Sequence, residues 1–108
     1  MKLYQIYVTK ADVDQANLGN WSDKFKAARD AMAFGEFTKQ AHYSHVADID
    51  TTSLDHAFEI GNIGPEGKIA RHAPMHSVSV GDVLVTDYGV AFIVKPFGFE
   101  ALDNWEVS

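Results

Sequence analysis

The chain has 108 residues, 46% hydrophobic and 12% aromatic, which is one domain's worth of sequence with enough apolar content for a packed core. It contains no cysteine, so a disulfide framework and any cysteine-ligated zinc or iron–sulfur site are excluded. The net charge of −6 is unevenly spread: residues 1–46 carry six basic and five acidic side chains, residues 47–108 three basic and ten acidic, a balance that repels phosphate and argues against direct binding of DNA or RNA.

In chain order, residues 3–8 (LYQIYV) are β-branched and aromatic with one polar interruption, and read as a strand near the core. This opening has neither the long apolar run of a membrane span nor a small-residue cleavage site, so the expectation is a soluble cytoplasmic domain. The run TKADVDQANLGN predicts a short helix, with Asp12 and Asp14 near its positive end and Gly19 as a left-handed stop. Ser22 is placed to cap a second helix on which Phe25, Ala28 and Met32 form an apolar stripe; the course of residues 35–42 is open.

The stretch HYSHVADID alternates as a strand, with Tyr43, His45, Ala47 and Ile49 expected on one face. In TTSLDHAFEIGN, Thr52 and Asp55 have capping-box spacing, Leu54, Ala57 and Phe58 make the expected buried face, and Gly61 or Asn62 the end. GNIGPEGK is turn-rich and reads as an exposed loop. Residues 83–94 read as a hairpin of two apolar strands around Asp87-Tyr88-Gly89, with Val83 and Val85 on one face and Leu84 on the other. Both faces are apolar, so the hairpin belongs at the centre of a sheet, and Pro96 ends its second strand. Gly81-Asp82 reads as a turn whose carboxylate accepts nearby backbone N–H groups. The order of elements predicts a single α+β domain over residues 1–108, with a small, mostly antiparallel sheet packed against two or three short helices.

No pattern in the sequence points to catalysis. His42 and His45 are three apart, and His72 and His76 four apart with Pro74 between them, which disfavours a helical metal-chelating pair. There is no nucleophile elbow, and the glycines at 61, 64 and 67 lack the lysine and hydroxyl residue of a phosphate-binding loop. Neither a catalytic residue, a metal ligand nor a cofactor is assigned. Asp48, Asp50, Asp55, Glu59 and Glu66 fall in a stretch without Lys or Arg and are the candidate partner-binding side chains. A solvated acidic face is the plainer explanation of the same residues. Lys68, Arg71, His72 and Tyr88, with Phe97 as a further lining aromatic, are the candidates for an alternative small-molecule site, for instance one that sequesters a nucleotide signal. Trp21 and Trp105 are expected at the core margin.

The run Ser77-Val78-Ser79-Val80-Gly81-Asp82-Val83, then Gly89, Phe92-Ile93-Val94 and Phe97-Gly98-Phe99, resembles small domains, some labelled YodL-like, carried by phages, plasmids and conjugative elements. The match spans residues 76–102, with a looser echo in SLDHAFEIGN, and departs from the family pattern at Lys95-Pro96. This resemblance implies a mobile-element accessory protein of uncharacterised activity. The functional expectation is a non-enzymatic protein that binds and inhibits a host protein through a basic surface on that partner, as an anti-defence factor (anti-CRISPR or antirestriction type) or host-takeover factor would. A small-molecule-binding domain is the alternative and a histidine-dependent enzyme the third reading. Short strands with open edges also leave a homodimer as an option.

Overall fold

A computed structural model describes residues 1–6, 10–21, 23, 40, 43–103, 105 and 106. Six strands, β1 (Lys2–Ile6), β2 (Tyr43–Ile49), β3 (Ile69–Arg71), β4 (Val83–Val85), β5 (Ala91–Lys95) and β6 (Gly98–Leu102), form one sheet in the order β3-β2-β1-β4-β5-β6. Every neighbouring pair is antiparallel. With helices α1 (Lys10–Asn17) and α2 (Leu54–Ile63) this is the small α+β fold expected from the order of elements. None of the helices among the described residues is long and apolar enough to cross a membrane.

The hydrophobic pattern explains the layering. Leu3, Ala47, Ile49, Leu84 and Val94 project from one face of the sheet and are covered by Ala57 and Ile60 of α2 together with Met75 and Val78. The opposite face presents Ile6, Tyr43, Val83, Val85, Ala91 and Ile93, closed over by Trp105. Trp105 meets Tyr4 and Tyr43 edge-on, at 4.9 and 5.6 Å between ring centroids. The β4–β5 hairpin is therefore apolar on both sides because both sides are buried, and each fully buried Val or Ile stabilises the fold by about 1.5–3 kcal/mol relative to exposure.

The hairpin turn follows the residues expected to make it. Gly89 has φ 81°, a conformation that costs a residue with a Cβ, and its N–H donates to the Thr86 carbonyl at 2.9 Å. Strand β5 ends at Lys95, immediately before Pro96. Helix α1 stops before Gly19, whose φ is 85°. The Gly81-Asp82 turn is also as expected: the Ser79 N–H donates to Asp82 Oδ2 at 2.9 Å.

Three expectations are corrected. First, β2 does not alternate from end to end. Leu3 pairs with Ala47 but Tyr4 pairs with His45, so Val46 is an extra residue in the ladder and both Val46 and Ala47 turn into the core. Tyr43 and His45 thus lie on the face opposite Ala47 and Ile49. Second, the cap of α2 is Ser53, whose hydroxyl accepts from the His56 N–H at 3.3 Å; Thr52 is not the capping residue. Third, α2 runs through Asn62 to Ile63, and Gly64 caps it, so GNIGPEGK is a helix end and a 3-10 turn (Glu66–Lys68) before it reaches β3. The buried contacts of α2 come from Ala57 and Ile60, while Phe58 stays 38% exposed. Beyond these, residues 69–71 and 98–102 form strands that the sequence reading does not name. The helix expected after Ser22, the fate of residues 35–39, 41 and 42, and Val8 lie outside the described residues.

Candidate protein-binding face

The loop that carries residues 72–82 across the sheet is anchored by a buried polar junction. Gln5 on β1 donates through Nε2 to the His76 carbonyl (2.9 Å) and to Asp82 Oδ2 (3.0 Å), and its Oε1 accepts from the His76 N–H (3.2 Å). His76 Nδ1 lies 2.7 Å from the Ser77 carbonyl, which can only accept, so that nitrogen carries the proton. All three side chains are 2% exposed or less. Beside them, the Tyr43 hydroxyl donates to the Gly81 carbonyl at 2.6 Å, and burial, reinforced by the Asp82 charge, pushes its ionisation far above that of a free phenol. This junction is enclosed and built to hold the fold.

The acidic candidates border different cavities: Asp48 and Asp50 one, Glu66 a second and Asp55 a third. Asp48 is committed, its Oδ1 bonded to His45 Nε2 at 2.8 Å and its Oδ2 to His72 Nε2 at 2.7 Å. Burial works to raise its carboxyl, but the hydrogen bonds from His72 and His45 outweigh that and hold it below the usual carboxylate value. Glu66 is gripped by both guanidinium nitrogens of Arg71, which lowers the acid and raises the base. Asp50 sits on the bend after β2, its N–H bonded to the Lys68 carbonyl at 2.8 Å. Its carboxylate has no partner among the described residues. Asp55 and Glu59 are the pair carried by a helix. They lie one turn apart on the exposed side of α2, and neither has a side-chain partner among the described residues.

Next to that pair is an apolar surface. Phe97, at the tip of the β5–β6 turn, is 100% exposed, and Phe58 on α2 is 38% exposed. A shallow cavity is lined by Asp55, Phe58, Val94, Lys95, Pro96, Gly98 and Phe99, so the residues on either side of Phe97 border it. Lys95, the nearest cation on the turn, is paired with Glu100 at 3.4 Å. An aromatic ring held wholly in water on a tight turn adds nothing to folding and has the form of an interface anchor. The chain matches no family model, no curated protein and no solved structure.

The alternative ligand residues are dispersed. Lys68 lines a cavity with Met1, Lys2 and Asp50, whereas Arg71 faces a separate one beside Asn62 and His76. His72 is turned to Asp48, and Tyr88 stands 94% exposed at the β4–β5 tip. Of the tryptophans, Trp105 is in the core, and Trp21 packs edge-on to His76 at 4.8 Å. Sequence reasoning selected Asp55 and Glu59, placed Phe58 on the buried face of α2, and considered Phe97 only for the alternative small-molecule site. The signal for Phe97 was present: a Pro-Phe-Gly turn between strands leaves no core position for the ring. Phe58 carried no such mark, because its burial depends on whether α2 rolls toward Ile60 or away from it.

Proposed function

We propose that the protein is a non-enzymatic binding module that docks onto a host protein through the face formed by Asp55, Phe58, Glu59, Pro96 and Phe97. The observation that carries this is the fully exposed Phe97, whose turn neighbours Pro96 and Gly98 line one cavity with Phe58 and with Asp55, an acid that has no side-chain partner among the described residues. Phenylalanine anchors ringed by acid suit a partner surface with an apolar pocket and a basic rim, and the acidic second half of the chain steers such a partner in. The resemblance of residues 76–102 to mobile-element domains supports a role as an accessory protein that occupies and inhibits a host factor, with anti-defence activity the leading form.

The test compares capture by wild type with capture by Phe97→Ser, Glu59→Lys and Tyr88→Ser variants from bacterial lysate at two salt concentrations. One specific protein should be recovered by wild type and Tyr88→Ser, be lost with Phe97→Ser and Glu59→Lys, and weaken as salt rises. Equal recovery by all four proteins would refute the face. If instead the wild type sediments as a dimer that Phe97→Ser converts to monomer, the occupant is a second copy of the chain and the host-protein reading is wrong.

A further inference from the structure

We propose that His45, Asp48 and His72 form a binding site for a divalent transition-metal ion, zinc above others, which staples edge strand β3 to β2. The β-bulge makes the site. In a regular strand residues three apart face opposite sides, but the extra Val46 returns Asp48 to the same face as His45. His72 follows β3 directly, and its N–H donates to the Val46 carbonyl at 2.8 Å, which brings its ring alongside. The two imidazoles lie 5.0 Å apart between centroids, and the Tyr4 ring, stacked at 5.1 Å, holds the orientation of His45.

Three ligating atoms converge here, all within 4.8 Å of one another. Two imidazole nitrogens and one carboxylate are a donor set of zinc and its first-row neighbours, and three protein ligands leave a fourth position for water. Ligand bonds of about 2.0–2.2 Å place donors roughly 3.3 Å apart in a tetrahedral site. The present Nε2–Oδ separations of 2.7 and 2.8 Å are hydrogen bonds, so a bound ion would open them by about half an ångström while each imidazole carries its proton on Nδ1 instead. The side chains are 32–46% exposed, which leaves room for that movement and a path for the ion. Two strands whose histidines both aim Nε2 at one carboxylate are arranged as a metal clip, and neither residue pair adjacent in sequence supplies it.

The experiment titrates zinc into tag-free, metal-stripped full-length protein by calorimetry, with histidine ring signals followed by NMR. Binding of one ion per chain, saturating below about 100 µM, is expected, with the rings of His45 and His72 shifting and those of His56 and His76 unmoved. His72→Gln and Asp48→Asn should each weaken binding at least about tenfold, and His56→Gln should leave it unchanged. His72 is exposed enough that its variant keeps the fold, which the melting temperature of the metal-free protein verifies. Zinc should raise the melting temperature of wild type by several degrees and that of His72→Gln much less. Absence of saturable binding, or binding that both ligand variants retain, would overturn the site.

Discussion

Replacing Gly61 with alanine should destabilise the protein, although the same change in an ordinary exposed helix stabilises it. A Cβ at this position would stand 2.1 Å from Val78 Cγ2 and 3.1 Å from Val78 Cβ. Rotating the valine relieves the first contact but not the second, and the Val78 backbone is pinned, its carbonyl accepting from Asn62 Nδ2 at 3.0 Å. Val78 is 1% exposed, so it has no solvent to retreat into. Helix propensity favours alanine by about 1 kcal/mol, and overpacking costs about 1–3 kcal/mol. With a contact this short the upper half of that range applies, leaving a net loss of about 1–2 kcal/mol, or roughly 5–15 °C in Tm for a domain of this size. Urea denaturation of Gly61→Ala, Val78→Ala and the double variant measures it. In the Val78→Ala background the added methyl fills vacated space, so Gly61→Ala should cost at least about 1 kcal/mol less there. A rise in stability from Gly61→Ala alone, or an equal cost in both backgrounds, would refute the close packing of α2 on the 75–78 segment.

Asp82→Ala should cost roughly 1–3 kcal/mol by denaturant titration, because it removes one of the two acceptors of Gln5 Nε2 and the acceptor of the Ser79 N–H in a buried site. Tyr43 gives a signed pH effect. The folded protein keeps this proton while the unfolded chain loses it near the ordinary value of 10.0, so stability should fall as pH rises above that point, by at most about 1.4 kcal/mol per pH unit. Tyr43→Phe should flatten that part of the stability–pH profile; an unchanged slope would contradict the burial of the hydroxyl. Ser53→Ala should lower stability by about 1 kcal/mol in thermal melts, and Thr52→Ala, which removes no cap, by less. Phe97→Ser should change stability by no more than about 0.5 kcal/mol, since its ring touches only solvent.

The central hairpin was legible in the sequence because its signals are local and agree with one another: alternating apolar residues, a glycine at the left-handed turn position, and a proline to stop the second strand. The faces of β2 were not. A bulge inserts one residue without changing composition, and only the pairing of β1 with β2 reveals that Val46 and Ala47 both point inward. That single shift also hid the meeting of His45, Asp48 and His72, since one histidine lies on β2 and the other just past the end of β3. The capping of α2 was misread by one residue because Thr51, Thr52 and Ser53 are all competent, and the choice among them is made by where the chain leaves β2. Strand β6 escaped notice for a related reason: at the sheet edge its burial is slight, and Gly98 and Glu100 obscure the apolar alternation. For the proposed binding face, charge pointed to Asp55 and Glu59, whereas their separation from Asp48 and Glu66 required knowing which carboxylates the fold already employs.

The most direct test of the binding face is site-specific photo-crosslinking in bacterial cells, with a reactive side chain placed in turn at positions 97, 59, 88 and 18. Tyr88 and Leu18 are exposed at distant points, 94% and 74%, and serve as references. The expected result is one host protein crosslinked from positions 97 and 59 and absent from positions 88 and 18. Adducts formed equally from all four positions, or only from 88 or 18, would contradict the assignment of the Phe58–Phe97 surface as the site of binding.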